Sequence, residues 1–538
     1  MCLQLAGLTL LSTTLMLLDD FLQQLYTGNN QARLETSYVV GMLAFNAGLW
    51  WSRSRWLTSL VLGLFALMQL MQLAHISYVG QPLNPVDISR MAEEWGEITE
   101  VADAAWKDHW PMMLAWGLPY VALFALFNRY LGRLELPGKP VAVVLILVAL
   151  VSKPYWAATH NLVQFMPGPT RSSLHNSLSA YSFYVMRLSF GRSSLPDVAY
   201  LPYQLVQTPL ASRPQHVWIL LGETLRSDRM SVYGYARNTT PRLAEMHRQG
   251  QLQVVQGIAG AASTGVSIPL FMNGVMEPGN EEELRRGVGN LFRQAKAGGY
   301  HTFWLSTQES KLLNDVGADA IDTIFTEADN ELAVQVQGDS LLLALVDKLP
   351  RDMPTFGVIN MRAAHAPYEN GYNHDKQFQP PWPAEGAAKA GNTYDNALRY
   401  VDNLVVDLMD KQVSQFPGNS VFLLTSDHGE MLGERGRWGH NVLTPEVAMV
   451  PAVSRVNWGE NGAPALPDKP YLSHASLHGW VLGLLGARLE NPNERADLAY
   501  FHGVDFYADN FFVTIMPDQV GRPVLGAPSL VSSLVRGL

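Results

Sequence analysis

One cysteine, Cys2, is all this chain has, and it lies near the start of an apolar run. No intrachain disulfide can form, and no cysteine zinc site can be built. Export usually gives access to disulfides. A soluble part of more than about 300 residues nevertheless buries enough core without them. Charge is sparse as well: 16% of residues are charged, the formal net charge is −10, and basic residues form no block or stripe. That excludes a nucleic-acid partner held through phosphate contacts. The sequence contains no internal repeat and no low-complexity tract, and its 538 residues suit more than one domain.

In place of charge, the N-terminal part has long apolar runs. Residues 3–18, 37–51, 56–76, 111–131 and 140–156 approach or reach the roughly 20 residues that span a bilayer. A short run of this kind can be a buried core helix, but five in succession, with Trp and Tyr at their ends, read as spans. The first run lacks a basic start and a small-residue cleavage site, so it reads as a retained span rather than a signal peptide. Arg53 and Arg55 mark one short loop as cytoplasmic, and Arg129, Arg133 and Lys139 mark another. The loop with Asp87, Glu93, Glu94, Glu97 and Glu100 is acidic and belongs outside. Five spans from a cytoplasmic N-terminus leave everything after residue 156 outside. Residues 1–156 are thus a transmembrane domain. Residues 157–213 mix Pro, Ser and Asn with amphipathic pieces such as 181–188. They read as a linker along the membrane surface, or equally as helices packed on the soluble part.

From 214 to 538 the pattern changes to short apolar runs separated by helical segments. Residues 217–221, 302–305, 356–360 and 421–425 read as buried parallel strands, and 284–297, 340–349 and 393–410 as helices between them. This alternation implies an α/β sheet, mostly parallel and covered by helices on both faces. Sites in such sheets form where the carboxyl ends of strands open into loops. Glu223, Gln308, His365, Asp427 and His428 each follow one of these strands, so four strands deliver carboxylates, imidazoles and an amide to one edge.

Asp427 and His428, with Glu223, supply two carboxylates and an imidazole, a ligand set for a divalent metal. A turn with a capping carboxylate is the simpler reading of Asp-His alone. Thr264, in Ser263-Thr264-Gly265, has the character of a helix N-terminus, where hydroxyls cap free N–H groups. The same position beside a metal makes a threonine a nucleophile, and the helix end attracts a phosphoryl group. His365 and His440 stand in separate loops. Each is either a structural hydrogen-bonding residue or a general acid or second-metal ligand.

Several segments together resemble the bacterial phosphoethanolamine transferases, membrane-anchored members of the alkaline phosphatase and sulfatase superfamily. They are Gly222-Glu223-Thr224, Gly234 to Pro241, Ser263 to Pro269, Tyr394-Asp395-Asn396, and the Asp427 to Glu434 run. The resemblance implies an alkaline phosphatase/sulfatase-like fold and a zinc ion held by Glu223, Thr264, Asp427 and His428. It implies that Thr264 takes phosphoethanolamine from phosphatidylethanolamine, releasing diacylglycerol, and passes it to a glycan or lipopolysaccharide acceptor. His365 and His440 would hold the phosphoethanolamine group, assist proton transfer or bind a second zinc. Gln308 and Lys311 lie about where the family places substrate contacts. The enzyme would sit in a bacterial inner membrane as a monomer, with its catalytic domain in the periplasm. Members that modify lipid A commonly carry disulfides near the nucleophile; Ala261 and Leu270 stand there in this chain, which leaves other glycan acceptors open. The rival readings are a phosphoglycerol transferase, often manganese-dependent, and a non-catalytic envelope-assembly protein of the same fold.

Overall fold

In the computed structural model the chain divides into two units, residues 1–193 with 433–438, and residues 194–432 with 439–538. The structure describes residues 2–18, 20, 35–79, 82–93, 95–131, 140–159, 165, 167, 171–188, 198–210, 212–385, 388–459, 462–495, 498–504 and 511–535. Glu94, Arg133, Lys139 and parts of the 157–213 stretch lie outside the described residues.

The first unit is helical: α1 (Cys2–Met16), α2 (Thr36–Ser52), α3 (Arg55–Val79), α4 (Pro85–Glu93), α5 (Trp95–Leu131), α6 (Pro140–Thr159) and α7 (Ser173–Phe183). Among the described residues, two stretches are long and apolar enough to cross a membrane, Arg55–Ile76 and Pro140–Ala158, and Leu3–Met16 is apolar but shorter. The expected run at 37–51 falls in the 17-residue α2, and that at 111–131 in the second half of the 37-residue α5. On α6 a face made of Val141, Val144, Leu145, Val148 and Val151 is exposed. An outward apolar face of this kind is what lipid requires and water does not. Inside the unit, Trp50 stacks on Phe127 at 4.0 Å between ring centroids. Polar side chains join helices there, as small polar groups do between membrane helices. Asn46 donates to Thr13 Oγ1 at 3.2 Å, and Trp50 Nε1 to Ser12 Oγ at 3.3 Å. Within the 157–213 stretch, α7 buries eight of its eleven residues, and Ser173 and Ser177 both donate to Gln69 of α3.

The second unit is built on an eight-stranded sheet. Its strands, in chain order, are β2 (His216–Gly222), β3 (Leu252–Ile258), β4 (His301–Ser306), β5 (Thr323–Phe325), β6 (Thr355–Asn360), β7 (Ser420–Ser426), β8 (Met449–Asn457) and β9 (Tyr471–Ser473). β1 (Gln204–Gln207) belongs instead to a small pair with β10 (Ala487–Glu490). The order across the large sheet is β9-β3-β8-β7-β2-β6-β4-β5. β7, β2, β6, β4 and β5 run parallel, and β8 is antiparallel to both its neighbours. A four-stranded antiparallel sheet follows, from β11 (Ala499–His502), β12 (Phe511–Pro517), β13 (Pro523–Leu525) and β14 (Ser529–Leu530).

The four expected strands are present with their ends extended by a residue or so, and β2, β6 and β7 are buried along their whole lengths. Continuous burial is why they read as unbroken apolar runs rather than alternating ones. On β2, Trp218 and Leu220 face one core together with Tyr394, Leu398 and Val401 of α12 (Lys389–Gln415). Val217, Ile219 and Leu221 face the other, against Ile268 and Phe271 of α9 (Thr264–Asn273) and Leu477 and Val481 of α13 (His474–Leu484). The helices labelled here in between, α8 (Pro241–Arg248), α10 (Leu291–Ala297) and α11 (Leu341–Val346), complete the covering layers. The expected helix at 284–297 is two helices. Gly287 has φ +56 and ends the first, and the Asn290 side chain caps the second by accepting from Arg293 N.

Candidate active site

The register of two strands sets the centre. β2 and β7 pair in parallel with Gly222 opposite Ser426. The next residues on each strand, Glu223 and Asp427, therefore leave the sheet side by side, with His428 beyond. Asp427 N donates to Gly222 O at 3.1 Å, which carries the pairing one residue past the strands. β6 and β4 lie on the other side of β2 and send out the His365 loop and Gln308. Thr264 arrives from a different direction as the first residue of α9, with Ser263 as its cap.

One ligand atom from each of Glu223, Asp427 and His428 lies within 4.8 Å of the others, and all three residues are buried. Thr264 Oγ1 is 3.3 Å from Glu223 Oε1 and 3.1 Å from His428 Nε2. His428 Nδ1 lies 3.0 Å from Gly429 O. The carbonyl can only accept, so Nδ1 carries the hydrogen and Nε2 presents a lone pair, the arrangement of a metal-binding imidazole. Asp427 shows the same division of labour. Its Oδ1 accepts from Thr224 N at 3.1 Å and His428 N at 2.7 Å. Its Oδ2 is buried without a hydrogen bond although it lies 3.2 Å from His428 Nε2. A buried carboxylate oxygen and an imidazole lone pair aimed at one point repel each other unless a cation sits between them. Two oxygens and a nitrogen at this spacing fit a zinc-sized divalent ion.

His365, His440 and Glu430 border this centre. The His440 ring lies 4.4 Å from that of His428 and 6.1 Å from that of His365. Glu430 Oε1 is 3.9 Å from His440 Nδ1, and Glu430 Oε2 is buried without a hydrogen bond. Burial, aided by the Arg362 charge, lowers His365 to about 4, so this imidazole is neutral at pH 7. Its Nδ1 faces Ala366 O at 2.6 Å, so Nδ1 carries the hydrogen and Nε2 the lone pair. Gln308 donates its amide to Asn360 Oδ1 and Met361 O. Lys311 pairs with Glu309.

Glu430 was missed as a site residue because it reads as one more carboxylate in an acidic run. The supports around the centre had no role in the sequence reading, although all but His474 lie in or beside the segments that carry the resemblance. Tyr394 O–H donates to Thr224 O at 2.6 Å and accepts from Arg226 N at 2.9 Å, fixing the turn after Glu223. Thr224 itself has φ +58, a strained value for a β-branched residue, held by Oγ1 donating to Ala364 O. Asp395 takes Arg229 at 2.8 Å and Arg237 at 2.8 Å, so the Gly234–Pro241 segment and the Tyr394 segment meet as a scaffold. A Cβ on Gly429 would lie 2.2 Å from Glu446 O, so only glycine lets the chain pass after His428. His474 is buried; its Nδ1 accepts from Gly260 N at 3.0 Å and its Nε2 donates to Ser426 O at 3.0 Å. Ser267 donates to Asp427 O at 2.6 Å. These two residues brace the start of α9 against the end of β7, and so hold Thr264 opposite Asp427 and His428.

Comparison with known proteins agrees with this architecture. The Escherichia coli K12 protein named putative transferase YhbX is 24% identical over 312 residues, 54% of this chain and 55% of that one. The Salmonella typhimurium phosphoethanolamine transferase EptA is 28% identical over 243 residues, 42% of each chain. The chain thus spans about half the length of the curated relatives it matches. The solved integral membrane protein lipooligosaccharide phosphoethanolamine transferase A from Neisseria meningitidis superposes with a TM-score of 0.60 at 19% identity, covering 90% of this chain and 95% of that one, so the two share a fold. The profile of the family described as Sulfatase matches residues 215–487, half of the chain, and the chain belongs to that family.

Proposed function

We propose that this protein transfers phosphoethanolamine from phosphatidylethanolamine to a cell-envelope glycan or lipopolysaccharide through a covalent intermediate on Thr264. The observation that carries this reading is the Thr264 hydroxyl, 3.1 Å from His428 Nε2 and 3.3 Å from Glu223 Oε1, beside the orphaned Asp427 Oδ2. A hydroxyl at a helix N-terminus and among metal-type ligands is a nucleophile placed for phosphoryl transfer. The curated relative named phosphoethanolamine transferase supports the choice of transferred group.

Glu223, Thr264, Asp427 and His428 would hold one zinc ion, which when bound supplies charge neutralisation and lowers the pKa of an oxygen ligand. His365, His440 and Glu430 would receive the phosphoethanolamine group or a second ion. In the first step Thr264 Oγ forms a bond to phosphorus and the bond to the diacylglycerol oxygen breaks. The proton that Thr264 Oγ loses passes to the His365 and His440 side, which returns it to the leaving oxygen. In the second step an acceptor oxygen forms the new bond to phosphorus, and the Thr264 bond breaks. His365 is neutral at pH 7, so it can accept the proton that the acceptor hydroxyl loses and pass it to the departing Thr264 oxygen. The positive N-terminal end of α9 would favour the phosphoryl oxygens in both steps.

Location follows the same reading. The first unit anchors the chain in the inner membrane by several spans and keeps the second unit in the periplasm, near its lipid donor. Diacylglycerol release tests the proposal. Purified protein with zinc should release diacylglycerol from phosphatidylethanolamine and not from phosphatidylglycerol. Release from phosphatidylglycerol alone would make the protein a phosphoglycerol transferase. Release from neither would leave the fold without this activity.

A further inference from the structure

A cavity of about 490 Å³ opens in the second unit, and none of Glu223, Thr264, Asp427 and His428 lines it. Its size lies within the roughly 300–1,000 Å³ typical of small-ligand sites. Gly274 and Met276 line it, and they follow the end of α9. Thr264 begins that helix, so the cavity lies about 15 Å from the nucleophile at ~1.5 Å per residue. The lining is evenly polar and apolar in kind. Trp480 and Tyr471 are half-buried and supply aromatic surface. Lys469 and Arg495 are exposed on its rim, and neither side chain makes a hydrogen bond or ion pair among the described residues. Glu494, also on the rim, leaves the three charges at a net of +1.

We infer that this cavity binds an oligosaccharide bearing a phosphate group. Trp480 and Tyr471 offer flat faces for the C–H side of sugar rings, whose hydroxyls then point to water and to the polar half of the lining. Lys469 and Arg495 are cations with unused donors, and a phosphate oxygen is the acceptor that suits both. Glu494 limits the site to a ligand of low net charge, which disfavours a polyanion. That the bound sugar is the remote part of the acceptor rests on the transferase reading above; binding to the cavity does not.

The test is equilibrium binding to the full chain in detergent. The probes are a neutral oligosaccharide bearing one phosphate group, the same oligosaccharide after dephosphorylation, and a nucleoside monophosphate. The inference predicts saturable binding of the first and weaker binding of the other two. Trp480→Ala and the double variant Lys469→Ala with Arg495→Ala should each weaken it about tenfold or more, as loss of an aromatic or arginine anchor does. Thr264→Ala should bind like wild type, which separates this cavity from the transfer site and keeps the result independent of activity. Circular dichroism melting of each variant checks that these substitutions leave the fold intact. Wild-type affinity in both cavity variants, no binding at all, or equal affinity for the nucleoside monophosphate would overturn the inference.

Discussion

Thr264 Oγ1 lies 3.1 Å from His428 Nε2, although 164 residues of chain separate them. The contact exists because α9 starts where β7 ends, and His474 and Ser267 hold the two together. From this relationship follow predictions about the metal, the braces and the pH response.

Metal binding should stabilise the wild-type protein and depend on Asp427. An ion that binds only the folded state adds about 2.7 kcal/mol at a hundredfold excess over its Kd. Zinc should therefore raise the melting temperature of wild type, and a chelator should reverse the rise. Asp427→Asn should show no zinc-dependent rise. An equal rise in the variant would mean that zinc binds elsewhere.

His474 should act on metal affinity through its two hydrogen bonds. His474→Ala is expected to weaken zinc about 10–100-fold, the usual cost of losing a residue that orients ligands. His474→Asn keeps an acceptor and a donor and should recover much of the affinity. Competition against a fluorescent chelator reads both. Equal affinity in the alanine variant would show that the brace does not reach the metal.

Tyr394→Phe should destabilise the second unit by about 1–3 kcal/mol, because Thr224 O and Arg226 N both lose a buried partner. Thermal melting of the variant gives the number. A neutral result would mean that water replaces the hydroxyl.

Acid should weaken the second unit through histidines remote from the metal. Burial lowers both His478 and His502 to about 4, and each donates Nε2–H to a carbonyl, of Gly289 and Met276 respectively. An unfolded histidine takes up a proton near pH 6.5, while these two refuse it until about pH 4. The unfolded state thus holds more protons in that window, and stability falls as pH drops through it, by about 1.4 kcal/mol per pH unit for each group. Stability measured against pH should be less steep between 6.5 and 4 in His502→Asn than in wild type. An unchanged slope would remove His502 from the acid response.

Much of this was legible in the chain itself. β2 and β7 are continuous apolar runs ended by Glu223 and Asp427, so their parallel direction and shared edge could be read from pattern, but their pairing as neighbours could not. Thr264 was legible as a helix start for the same local reason. The break at Gly287 was not, because the flanking residues keep a helical period across it. His474 and Tyr394 act through backbone atoms of segments far away in sequence, and such bonds leave no local pattern. Glu430 becomes visible only when the fold turns it toward His440.

The most direct test of the central claim is the intact mass of the purified protein after incubation with phosphatidylethanolamine and zinc. The account predicts a phosphoethanolamine adduct on wild type and none on Thr264→Ala. An adduct of the same size on Thr264→Ala would contradict it, because the nucleophile would then lie elsewhere.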